Sequence, residues 1–119
     1  MIGRSNADVI VIVVLRPLPG TPMADLPPVE PETIGRVAAV ARLLNPAVPL
    51  TLGCARPPGR AKIEMEQRAV TAGVNSIAYP DPATVRLAGE LGLRTAFVES
   101  CCTLAVRQPV GVICSEAGA

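Results

Sequence analysis

ADVIVIVVL, residues 7–15, is the stretch on which the reading of the fold turns. It is a continuous run of β-branched and aliphatic residues with no polar alternation. Such runs mark strands buried on both faces, as in parallel sheets covered by helices. Pro17 stops the run, and RPLPGTPMADLPPVEP at 16–31 follows with six prolines in sixteen residues. Connections from strand to helix in α/β units usually take about 2–6 residues, so this loop is long enough to suggest a task of its own.

Beyond the loop the pattern alternates. A helix is expected over 31–44: proline suits its first turn, Glu30 and Glu32 complement the helix dipole, and Pro46 ends it. Ile34, Val37, Ala38, Ala41 and Leu44 are expected on its buried face. VPLTLGC at 48–54 reads as a strand, ARPPGR at 55–60 as a loop, and 61–72 as a second helix with Gly73 as its left-handed cap. VNSIAY at 74–79 is a third strand. Asp81 and Pro82 then supply the N-cap and first residue of a third helix that ends at Gly92. LRTAFV at 93–98 is a fourth strand. The order βαβαβαβ predicts an α/β fold with parallel strands joined by right-handed crossovers. Residues 1–108 form this domain, and PVGVIC at 109–114 opens a tail (109–119) that is either an edge strand or a docked end.

Composition narrows the function. The chain has 119 residues, 50% of them hydrophobic and 18% charged, enough for one domain and too apolar for a disordered regulator. Eleven basic against ten acidic residues leave a net charge of +1, and there is one Tyr, one Phe and no Trp. Neither a basic field nor a stacking platform for nucleic acid is present. With no His, imidazole acid–base chemistry, Ser-His-Asp and Cys-His pairs and His metal sites are all excluded. The apolar run at 9–15 is far below the ~20 residues that span a membrane, and with Asp8 just before so short a run no secretory signal is expected. The expectation is a cytoplasmic chain whose four cysteines stay reduced.

Three polar segments fall where strands lead into helices: the turn at 19–22, the GCARPPG loop at 53–59 and ESCC at 99–102. In parallel α/β folds this rim hosts ligands, because strand ends and helix N-termini point polar groups into it. Candidate substrate-binding residues are Arg16, Gly20, Thr21, Arg56, Tyr79 and Glu99. Arg16 and Arg56 could each grip a carboxylate or phosphate in bidentate fashion, or be surface arginines beside proline turns. Cys54 is either a thiol ligand or a small packed hydrophobe. Cys101 and Cys102 are adjacent at a strand end, where neighbouring side chains point to opposite faces, so at most one of them would face a site unless the chain turns there. Cys114 reads as a packing residue. Glu64 and Glu66, two apart on a helix, read as a solvated face. No CxxC, GxGxxG or Walker A pattern occurs.

Taken in order, DVIVIVVLRPLPGTPM, LGCARPPG, AVTAGVNSIAYP and VESCC resemble the C-terminal half of biotin-synthase-related radical SAM proteins, the group that includes split-type lipoyl synthases. The resemblance runs over about residues 8–104. It implies a half-barrel resembling the second half of a TIM-type barrel, the part that lines the substrate cavity for a small-molecule or acyl substrate. The family's CxxxCxxC, which holds an iron–sulfur cluster and S-adenosylmethionine, does not occur here. The resemblance therefore implies S-adenosylmethionine chemistry only with a complementary N-terminal half-barrel chain. It also implies that Cys54 with Cys101 or Cys102 could hold an auxiliary iron–sulfur cluster, as late-strand cysteines do in sulfur-inserting relatives.

Physics adds one expectation. Four parallel strands leave two open sheet edges, an aggregation liability unless covered, so the complementary half or self-association is expected. Against the non-autonomous enzyme stand two other readings. One is a non-catalytic structural or partner-binding module of the same fold. The other is a stand-alone thiol enzyme using Cys101 or Cys102, which would need Arg or a helix N-terminus to activate the sulfur.

Overall fold

The computed structural model describes residues 6–99 and, as backbone, residues 112–115. The elements run β1 (Ile10–Ile12), α1 (Pro31–Leu44), β2 (Leu50–Leu52), α2 (Arg60–Ala72), β3 (Ser76–Ala78), α3 (Pro82–Glu90), β4 (Thr95–Val98) and β5 (Val112–Ser115). All pairings are parallel, in the order β1-β2-β3-β5-β4. The alternating α/β reading therefore stands.

The helix ends follow the residues that dictate them. Pro31 opens α1 and Pro82 opens α3. The Asp81 carboxylate accepts the Ala83 amide at 2.9 Å, the usual side-chain cap at a helix start. Gly73, at φ 101°, closes α2 in the left-handed conformation that a side chain resists. At the opposite end of the strands from the rim, Arg42 donates to the carbonyls of Gly73 (2.8 Å) and Val48 (2.9 Å) and to Asn75 Oδ1. One side chain of α1 thereby ties the α2 cap to the starts of β2 and β3.

The core forms between the sheet and one layer of helices. Ile10, Ile12, Leu50, Leu52 and Ile77 meet Ile34, Ala38, Met65, Ala69, Val70 and Ala88. Gly35 of α1 lies against Arg68 of α2, where an added Cβ would approach the Arg68 Cβ to 3.1 Å, so the two helices pack closely. Because strand side chains alternate, Val11, Thr51, Ser76 and Ala78 point to the other face of the sheet. There the Ser76 hydroxyl donates to Thr51 Oγ1 at 3.1 Å, both residues being fully buried.

Three expectations need correction. The run at 7–15 is not buried on both faces: Ile10, Ile12 and Val14 are buried, but Val13 is 64% exposed. As a sheet edge with helices on one side, β1 buries only one face, whereas β2 and β3, inside the sheet, are buried throughout. The tail does not form an edge: β5 lies between β3 and β4, pairing Ile77 with Cys114 and Cys114 with Phe97. A strand there has both its backbone edges bonded, a placement that chain order cannot announce. Finally, α1 buries Ile34 and Ala38, while Val37 and Leu44 are exposed.

Candidate functional site

The rim at the C-terminal ends of β2 and β3 is organised by Arg56. This residue is only 5% exposed. Its Nη1 donates to the Gly53 carbonyl. Its Nη2 donates to Glu66 Oε1 at 3.0 Å, to the Ala78 carbonyl and to the Tyr79 carbonyl at 3.2 Å. One guanidinium thus joins the end of β2 to the end of β3. Its Nε is buried without a partner. Burial pulls the Arg56 pKa below its usual value, an effect that the Glu66 carboxylate opposes.

Glu66 completes the arrangement. Its Oε1 also lies 2.6 Å from Lys62 Nζ. Its Oε2 accepts the Asp81 amide at 2.8 Å and the Thr84 hydroxyl at 2.7 Å. The expectation that Glu66 lies on a solvated face is wrong, since it is fully buried. The signal was present in the periodicity: Glu66 stands among Met65, Ala69 and Val70, on the stripe that α2 turns to the core. A buried carboxylate with two cations and two further donors is compensated. The network therefore locks the loop after β2, the end of β3, α2 and the start of α3 into one unit.

Around this unit stand the residues exposed on the rim. Cys54 is exposed immediately after Gly53. Gly53 is held against the edge strand, its amide donating to the Ile12 carbonyl at 2.8 Å, and an added Cβ would meet Val11 and Val13 within 3.5 Å. Tyr79 follows β3 with φ 51° and is 46% exposed. A bulky residue at positive φ carries strain of roughly 1–3 kcal/mol and persists where surroundings fix it, most often at functional sites. Here Arg56, bonded to the carbonyls of Ala78 and Tyr79, does the fixing.

The other candidates are placed differently. Arg16, Gly20 and Thr21 are exposed on the long loop. Leu18–Thr21 forms a turn closed by the Thr21 amide and hydroxyl on the Leu18 carbonyl (3.3 and 2.7 Å), with Gly20 at φ 79°. Pro19 then Gly20 is the pair a type II turn demands, so both Gly20 and Thr21 have a structural task in building it. Glu99 is exposed after β4, at the opposite end of the strand order from Arg16. The structure thus brings Cys54, Arg56 and Tyr79 to adjacent strand ends and leaves Arg16 and Glu99 at the sheet's two limits. Cys101 and Cys102 lie outside the described residues.

Among the described residues no group of three His, Cys, Asp or Glu side chains converges as a metal site. Cys54 alone offers one thiolate, which is too few donors for a cluster. A hollow of about 860 Å³ runs between α1 and α2 past Gly35, Glu64 and Arg68 and shares no residue with the rim. It is an open groove bordered by exposed ion pairs such as Arg36–Glu32 on α1, not a ligand cavity. Among the described residues no helix is long and apolar enough to cross a membrane.

Comparison with known proteins places this sequence in a family. The model of the Biotin and Thiamin Synthesis associated domain matches residues 12–97, from β1 into β4. The chain is 39% identical over 69 residues to a biotin synthase of Leptothrix cholodnii, covering 56% of this chain and 19% of that protein. It is 40% identical over 65 residues to a biotin synthase of Sorangium cellulosum, covering 53% and 18%. The matched part thus spans less than a fifth of these relatives' length. No solved structure matches the chain significantly. With the family model covering most of its length, the chain belongs to the Biotin and Thiamin Synthesis associated domain family.

Proposed function

We propose that this chain is the substrate-cavity part of a biotin-synthase-related, sulfur-inserting radical SAM enzyme. It acts with a separate half-barrel that carries the CxxxCxxC cluster and binds S-adenosylmethionine. The observation that carries the reading is the Arg56–Glu66 unit, which fixes Cys54 and Tyr79 side by side on a strand-end rim inside the family-matched residues. In this reading the substrate is a small molecule or acyl group that enters from the rim. Arg16 binds it from the long loop, Tyr79 packs against it, and Cys54 contributes a thiolate together with Cys101 or Cys102. Arg56 shapes the cavity wall through its backbone bonds. Cys54 is the one cysteine whose side chain is described, so no chemical step is assigned to a cluster.

Anaerobic reconstitution of the full chain with iron and sulfide tests the ligand set. A brown chain with charge-transfer absorption, lost in Cys54→Ala, is expected. A colourless wild-type chain would remove the cluster from the proposal.

A second reading, a partner-binding module without catalysis, is favoured by one observation. Both terminal nitrogens of Arg56 are already bonded to protein, as a purely structural arginine would be. Under that reading, alanine at Arg16, Cys54 or Tyr79 alters stability alone.

A further inference from the structure

Residues 78–84 carry the chain from the end of β3 into α3, and the Arg56–Glu66 pair holds them from both sides. On the β3 side, Arg56 Nη2 donates to the carbonyls of Ala78 and Tyr79. On the α3 side, Glu66 Oε2 accepts the Asp81 amide at 2.8 Å and the Thr84 hydroxyl at 2.7 Å. Pro80 and Pro82 between them have a fixed φ and no amide to give. Tyr79 is the one residue of the segment with a large, exposed side chain. Its backbone stands at φ 51°, where a bulky residue stays only while its surroundings fix it.

Thr84 is buried, and its hydroxyl leaves α3 to bond a carboxylate of the neighbouring helix. That bond decides where the carboxylate stands, because Glu66 is drawn in two directions. Its Oε1 is shared by Lys62 Nζ at 2.6 Å and Arg56 Nη2 at 3.0 Å. Its Oε2 is drawn towards α3 by the Asp81 amide and the Thr84 hydroxyl. With the hydroxyl in place, Glu66 is held over towards α3, and Arg56 reaches the Tyr79 carbonyl at 3.2 Å. Without it, the carboxylate is free to swing towards Lys62 and draw Arg56 away from that carbonyl.

We infer that Thr84 is a positioning residue for Tyr79: acting through Glu66 and Arg56, its hydroxyl sets the aromatic ring that the rim offers to a ligand. A ring already fixed in place spares the ligand the entropy of ordering it. That the ring touches substrate rests on the proposed function. Its placement by Thr84 does not, and is read on this chain alone.

Tyr79 is the only tyrosine and there is no tryptophan. The tyrosine band in near-UV circular dichroism, and tyrosine emission under acrylamide quenching, therefore report this one ring. The test uses the full chain with its thiols reduced, well below its melting temperature. Thr84→Val keeps the side-chain shape without the hydroxyl. It is expected to lose most of the tyrosine band and to be quenched nearly as readily as the urea-unfolded chain, with the far-UV spectrum unchanged. Thr84→Ser keeps the hydroxyl and keeps both signals. Val74→Ala, at a buried site outside this series of bonds, lowers the melting temperature but keeps the band, which separates positioning from mere loss of stability. A native band in folded Thr84→Val overturns the inference, as does a band lost equally in Val74→Ala. If the valine variant does not fold, Thr84→Ser decides: a native band there supports the inference and a lost one overturns it. A chain that gives the expected optical pattern yet stays colourless on reconstitution with iron and sulfide keeps this inference and loses the cluster from the proposed function.

Discussion

Removing the carboxylate of Glu66 while leaving Arg56 in place is the most severe perturbation the rim can receive. Their side chains are 0% and 1% exposed and 3.0 Å apart, so solvent screens the pair very little. In Glu66→Ala the guanidinium stays buried with its charge unopposed, and the Asp81 amide and Thr84 hydroxyl lose their acceptor. Breaking a buried pair from one side costs about 3–5 kcal/mol. A domain of this size is stable by roughly 5–15 kcal/mol in total, and 1 kcal/mol moves the melting temperature by about 4–8 °C. The expected result is a fall of more than about 10 °C, read by far-UV circular dichroism and checked by urea titration. Lys62, 26% exposed, cannot replace the lost interaction, since it too is a cation. Glu66→Met combined with Arg56→Met should cost less than Glu66→Ala alone, because no charge is then left buried. A Glu66→Ala loss below about 1 kcal/mol, or a double variant worse than the single, would refute the reasoning.

Asp81→Ala removes the cap of α3 and should cost about 1 kcal/mol in urea denaturation, with Asp81→Asn recovering most of it. Tyr79 at φ 51° distinguishes backbone strain from side-chain packing. Tyr79→Gly should leave stability within about 0.5 kcal/mol of wild type, whereas β-branched Tyr79→Val should lose more than about 1 kcal/mol in the same titration.

The order of elements was legible because the punctuation is strong. Pro31, Gly73, Asp81 and Pro82 act at the ends of helices through local geometry alone, and each stands where it was expected. The place of Cys54, Arg56 and Tyr79 at neighbouring strand ends was legible too, since a parallel sheet sends every strand end to one side, whereas Arg16 and Glu99 stand at the sheet's two limits. Roles within the rim were not. Arg56 looked like a free cation beside prolines, yet it is consumed by the ends of two strands and by a carboxylate ten residues away. That depends on how β3 and α2 sit against the loop, which no local pattern encodes. The α1 stripe misled in the opposite direction: Val37 and Leu44 are apolar but flank the core, because the helix rests on the sheet through Ile34 and Ala38. The place of β5 was hidden for a similar reason, since PVGVIC carries strand residues but nothing that names its neighbours.

Under the proposed function this chain works with a cluster-bearing half. Anaerobic affinity purification of the tagged full chain from its own cells, followed by peptide sequencing and iron analysis, tests it most directly. A stoichiometric second chain containing CxxxCxxC, with iron in the complex, is the expected result. Recovery of the tagged chain alone, free of iron and of any such partner, would contradict it.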